Sequence, residues 1–136
     1  MSEWTFFDYQ RPSTEDDDPI LVNEILEWTL GLPPKAQAKI DMMILTLRGW
    51  PVWPPQYVSD CGFKDILELR IKSGGVQYRP LGCYGAQRRV FILLIGAVEK
   101  GGKIPTGAGT SAIKRRKRVL EGWPTCEHEF AEKNEK

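Results

Sequence analysis

Six consecutive apolar residues, Val90-Phe91-Ile92-Leu93-Leu94-Ile95, constrain this chain more than any other stretch. The run is far shorter than the roughly 20 residues that a membrane span needs. It is also too continuous for a strand with one wet face, where apolar and polar residues alternate. It predicts a central strand, Arg88 to Val98, buried on both faces. The rest of the chain has to cover it.

The flanking sequence offers strands and helices for that purpose. Leu67, Leu69 and Ile71 place one apolar face on a strand whose other face carries Ile66, Glu68 and Arg70. Ser73-Gly74-Gly75 is a tight-turn signal, so Val76 onward is expected to fold back as a hairpin carrying Arg79. Pro80 within that return belongs at an edge or a bulge, and Gly82 to Gln87 reads as a second turn. Upstream, Trp4 to Tyr9 is aromatic and β-prone. Asp18-Pro19 is a helix-start signal, and Leu21, Ile25, Trp28 and Leu32 recur at helical spacing up to Gly31. Pro33-Pro34 starts a second helix with a stripe of Ala36, Ile40, Met43 and Leu47, ending at Gly49. Trp50 to Tyr57 holds three prolines and reads as a stiff hydrophobic lid over the helix pair, with base stacking by its tryptophans as the alternative. Thr110 or Ser111 is expected to cap a last helix from Ala112 to about Glu121, stopped by Gly122 and Pro124. The predicted order is β-α-α-β-β-β-α, an α+β fold with helices on one face of a small, mainly antiparallel sheet. Residues 1–124 form one domain, and 125–136 read as a charged, frayed tail.

Charge is distributed unevenly. The net +1 conceals twelve Lys or Arg against two Glu between residues 66 and 118, a local balance of +10. Such a block suits a polyanionic partner, while the plainer reading is a solvated face that offsets the acidic residues elsewhere. Three widely spaced cysteines, Cys61, Cys83 and Cys126, form no C-x-x-C pair, and Met1 to Trp4 lacks a basic region followed by an apolar stretch, so no signal peptide is expected. A reduced, cytoplasmic protein is expected. The single histidine, His128, lies near Cys126, but two potential ligands do not make a zinc site, so no metal or other cofactor is expected. The glycines at 101–102 and 107–109 do not form a phosphate-binding loop.

Several stretches together resemble the RelE/HigB superfamily of bacterial toxins, in particular its phage-derived Gp49-like branch. They are Leu67-Glu68-Leu69-Arg70, Tyr78-Arg79, Phe91 to Lys100, Lys103-Ile104-Pro105, and Ala112 with Arg115 and Arg118. Their order and spacing agree over residues 20 to 120. Four features differ from the family pattern: Val98 replaces the loop aromatic, Gly101-Gly102 divides an adjacent lysine pair into Lys100 and Lys103, Pro80 follows Tyr78-Arg79 where the family has a β-branched residue, and the loop from Trp50 to Phe63 is longer and richer in Trp and Pro. The resemblance implies the toxin of a type II toxin–antitoxin pair, often a ribosome-dependent endoribonuclease of translated mRNA. It also implies a cognate antitoxin, expected to be a helix-turn-helix protein.

Cleavage by attack of the RNA 2′-hydroxyl requires a proton acceptor, stabilisation of the phosphorane and protonation of the leaving oxygen. Arg70 and Arg79 are candidates to hold the scissile phosphate, because guanidinium suits bidentate oxyanion contact. Lys100 or Lys103 would stabilise developing charge or donate a proton. Tyr78 and Tyr84 are candidates for stacking or proton transfer, although strand alternation puts Tyr78 and Arg79 on opposite faces. Lys114, Arg115 and Arg118 are assigned to the RNA backbone, as are Arg88 and Arg89 at their turn. Pairing with Glu68 is the structural alternative for Arg70. A non-catalytic RNA- or ribosome-binding module, or one that binds an acidic protein, is the competing function.

Overall fold

A computed structural model describes residues 3–13 and 20–132. Strand β1 (Thr5–Pro12) is followed by β2 (Leu21–Asn23), which runs directly into helix α1 (Glu24–Leu30). Asp18-Pro19 lies outside the described residues, but Leu21 and Val22 are extended, so the helix starts later than their spacing predicts. Asn23 is the cap: its side chain accepts from Leu26 N–H (3.0 Å), satisfying a free first-turn donor. Gly31 closes the helix, and Pro34 opens α2 (Pro34–Gly49), as expected. Gln37 fastens the connection by donating to the Leu30 and Leu32 carbonyls (3.1 and 2.8 Å).

The segment predicted as one long strand from 66 is divided. Strand β3 (Val58–Asp60) pairs with β4 (Leu67–Leu69); β5 (Ile71–Ser73) pairs only with β6 (Val76–Tyr78). The chain breaks again at Arg79-Pro80, because proline has no N–H to give a ladder. Strand β7 (Leu81–Tyr84) comes next, where Gly82 to Gln87 had read as a turn. Its register against β8 (Val90–Ile95) shifts between Leu81 and Gly82, just past the proline.

The main sheet runs β2-β1-β8-β7-β4-β3. β8 is central, as its composition demands. It pairs antiparallel with β7 and, unexpectedly, parallel with β1 in an otherwise antiparallel sheet. Helices cover both faces, correcting the one-sided arrangement. Phe91 and Leu93 join Phe6, Ile40, Ile44 and Leu47 beneath α1 and α2. Ile92 and Leu94 join Tyr9, Leu81 and Ala112 beneath α3 (Thr106–Leu120). Burying one such large side chain contributes about 1.5–3 kcal/mol, which a bare second face would forfeit. α3 starts four residues before the expected Thr110 cap; Pro105 precedes it without a side-chain cap. It sits close to the rest of the fold through a glycine: a Cβ on Gly109 would stand 2.2 Å from the Phe63 ring. No helix among the described residues is long and apolar enough to cross a membrane.

Two expectations about surface segments resolve in opposite directions. The Trp/Pro loop packs as a lid: Trp53 stacks on Phe6 and donates to the Leu47 carbonyl (2.8 Å). The expected frayed tail does not begin at 125. Strand β9 (Thr125–Glu127) pairs with β1, and two buried carboxylates anchor residues 128–132. Asp8 accepts from His128 Nδ1 (2.8 Å) and Glu129 N–H (3.2 Å); Asp41 accepts from Ala131 and Glu132 N–H (both 3.0 Å). Residues 133–136 lie outside the described residues.

Candidate active site

On the α3 side of the sheet, past the outer end of β4, a cavity of about 540 Å³ opens between residues 60–70 and the 99–106 loop. Its charged and polar wall comprises Asp60, Glu68, Arg70, Glu99, Lys103 and Thr106. Alternation along β4 explains Glu68: Leu69 points to the α2 face, so Ile66 and Glu68 point the other way. Glu99 is placed by the chain leaving β8. Arg79 N–H donates to Ala97 O (2.8 Å) and Glu99 N–H to Gln77 O (2.9 Å), aligning the 97–99 segment with β6.

Arg79 lies behind this wall with 3% of its side chain exposed. Its Nε is 3.3 Å from Glu99 and 3.7 Å from Glu68, and its terminal nitrogens donate to Gln77 Oε1 (2.7 Å) and the Tyr78 carbonyl (3.1 Å). The guanidinium is thus surrounded by acceptors from within the chain, and removing it would leave Glu99 without its cation and Glu68 with Arg70 alone. Breaking such a buried arrangement costs about 3–5 kcal/mol. Arg70 also pairs with Glu68, the structural alternative for that residue, but 39% of its side chain remains exposed. Glu68 is buried, so the pair is half-buried, and the Arg70 guanidinium meets solvent only on its open side.

The two lysines divided by Gly101-Gly102 are brought together. Lys100 and Lys103 exchange both backbone hydrogen bonds (2.9 and 3.1 Å) across a two-residue turn. Gly101 and Gly102 have φ of 58° and 76°, the left-handed values that such a turn requires and that glycine adopts without strain. Residues directly opposite in an antiparallel pair project to one face. The two glycines therefore make Lys100 and Lys103 a cross-strand pair, with Lys103 on the cavity and both side chains exposed.

The other expected RNA contacts are scattered. Tyr78 is 5% exposed and edge-on to Trp28 in the core, so it presents no ring to a base. Tyr84 is 52% exposed, but it sits with Arg88 and Arg89 near the far end of β8, roughly 20 Å of strand from the lysine turn. Arg115 is bound to Glu24 (2.6 and 3.2 Å) and the Leu94 carbonyl (2.9 Å), with its guanidinium over Tyr9. Arg118 donates to the Tyr9 hydroxyl (3.0 Å). Lys114 is exposed on α3.

Sequence reasoning passed over two carboxylates as functional groups. Glu68 and Glu99 are the only acids between residues 66 and 118, and both reach the cavity. Their isolation within a basic block was the available signal. Glu99, with 22% of its side chain exposed, is the more accessible. A thiolate nucleophile does not fit here. Burial, reinforced by Glu68 and Asp60, pushes the Cys61 thiol up, and burial pushes Cys83 and Cys126 up to about 11. Among the described residues, no group of three or more His, Cys, Asp or Glu is placed to hold a metal ion.

No curated protein and no solved structure matches the chain. The family model for phage-derived protein Gp49-like (DUF891) matches residues 27–117, from α1 through most of α3 and including every wall of the cavity. The chain therefore belongs to the Gp49-like family of phage-derived proteins, within the RelE-like toxin superfamily of toxin–antitoxin systems.

Proposed function

We propose that this chain is the toxin of a type II toxin–antitoxin pair and cleaves mRNA on the ribosome through the RNA 2′-hydroxyl. The observation that carries the reading is the meeting of Arg70, Lys103 and Glu99 on one cavity, backed by Arg79, in a chain of a toxin family. Glu99 takes the 2′-hydroxyl proton. Arg70 leaves Glu68 to hold the scissile phosphate, and Lys103 faces the charge that develops on it. Lys100, on the same face of the turn, supplies the proton to the leaving 5′-oxygen. Arg79 is a positioning residue: it fixes both carboxylates and does not reach substrate. α3 starts at the cavity with its first-turn amides uncapped by any side chain, adding partial positive charge for the phosphate. Removing a single electrostatic donor of this kind costs about 10²–10³ in rate, and general acid–base help is worth about 10²–10⁴. The ribosome would supply the alignment that such a small site lacks. The natural partner is an antitoxin, expected to be a helix-turn-helix protein.

Induced expression in a bacterium tests this. The expected result is growth arrest with new mRNA 5′ ends, abolished by Glu99→Gln or by Lys103→Ala with the protein still folded. Stable, folded protein with normal growth and intact transcripts would overturn it. One observation favours a second reading, a non-catalytic RNA-binding module: both arginines already have carboxylate partners within the chain. That reading predicts RNA binding that weakens steeply with salt and is never followed by cleavage.

A further inference from the structure

A second concavity lies on the opposite side of Arg70. It is a groove of about 380 Å³ between α2 and β5. Lys39, Met42, Met43 and Thr46 line it at i, i+3, i+4 and i+7, so they form one continuous stripe of α2. Across from them are Arg70, Ile71 and Lys72, with Trp50 and Tyr57 closing the end. Met42 is 63% exposed and Trp50 36%, an apolar surface that the fold leaves open. No lining residue is acidic, and among the described residues no carboxylate pairs with Lys39 or Lys72. Lys39 reaches across the groove to the Lys72 carbonyl (3.1 Å).

We infer that this groove is a docking site for an acidic, amphipathic segment of a partner protein. Its apolar side chains enter between Met42, Met43 and Ile71, and its carboxylates meet Lys39, Lys72 and Arg70. Methionine walls adapt to such side chains. Trp50 and Tyr57 meet edge to face at an interplanar angle of 60° and close the end of the groove. The lysines suit any anion, but the apolar Met42, Met43 and Ile71 between them suit the aliphatic side chains of a protein and not a sugar–phosphate backbone. Arg70 lines both the groove and the cavity, so the site couples the two. A carboxylate seated in the groove competes with Glu68 for Arg70 and draws it away from the cavity. This coupling to inhibition rests on the mRNA-cleavage reading; the docking itself does not.

The test uses the full chain and three fluorescent probes. They are a 20-residue amphipathic peptide with Leu and Trp on one face and Glu on the other, its Lys-for-Glu counterpart, and a 20-nucleotide poly(U) RNA. The acidic peptide is expected to bind and the lysine peptide not to bind. Met42→Glu, at an exposed position that leaves the core intact, should weaken acidic-peptide binding about tenfold or more, as should Lys39→Glu with Lys72→Glu. RNA binding should survive Met42→Glu. Failure of the acidic peptide to bind, equal binding by wild type and Met42→Glu, or loss of RNA binding alone in Met42→Glu would each overturn the proposal. Growth arrest by Met42→Glu is read separately, so failure of the docking site and failure of the toxin reading give different results.

Discussion

Gly74-Gly75 and Gly101-Gly102 have nearly the same backbone, with φ of 57° and 79° in the first pair and 58° and 76° in the second. The first pair joins β5 to β6, whose Ile71 and Tyr78 lie in the core beneath α2. The second joins only Lys100 and Lys103, and all four of its residues are exposed. One turn is held by what it connects, and the other holds two charges in place. A glycine pair sets local geometry in either setting. The flanking side chains decide whether that geometry contributes to stability or to a site.

The largest expected effect breaks the structural turn. Gly74→Val with Gly75→Val forces two β-branched residues into left-handed backbone, at about 1–2 kcal/mol each. The core contacts of Ile71 and Tyr78 prevent local escape, so urea unfolding should register about 2–4 kcal/mol of lost stability. A loss below about 1 kcal/mol would mean that the hairpin tolerates an open turn.

The same substitution at Gly101 and Gly102 should behave differently. With no buried flank, the turn relaxes by opening locally, and global stability falls by less than about 1 kcal/mol. RNA cleavage should fall about 10²-fold as Lys103 leaves the cavity wall. Unchanged cleavage would remove the turn from the site. The smallest effect sharpens the comparison. Replacing Gly101-Gly102 with Asn-Gly, another pair suited to this turn, should leave cleavage within about twofold of wild type.

The two turns also explain what was legible in the chain. Gly74-Gly75 stood between strands of clear alternation, so its hairpin could be read directly. Gly101-Gly102 stood between lysines with no alternating pattern, and so it read as an interruption of a pair. Only the hydrogen bonds between Lys100 and Lys103 reverse that reading. The burial of Arg79 was illegible for a related reason. Its partners Glu68 and Glu99 lie 11 residues before it and 20 after it, on separate segments. Nothing local indicates that the three converge.

By itself, the sequence determined the central strand, the two Pro-started or Gly-ended helix boundaries at Gly31 and Pro34, and the family. These arise from composition, local propensity and short motifs. Tertiary structure alone decided that helices cover both faces, that β1 runs parallel to β8, and that residues 125–132 are anchored. It also decided that a buried arginine braces two carboxylates beside a lysine turn. Each of these depends on groups far apart in the chain: Asp8 and His128 are 120 residues apart. Local propensity carries no information about such pairs, because their energy exists only once the fold has brought them out of water and into contact.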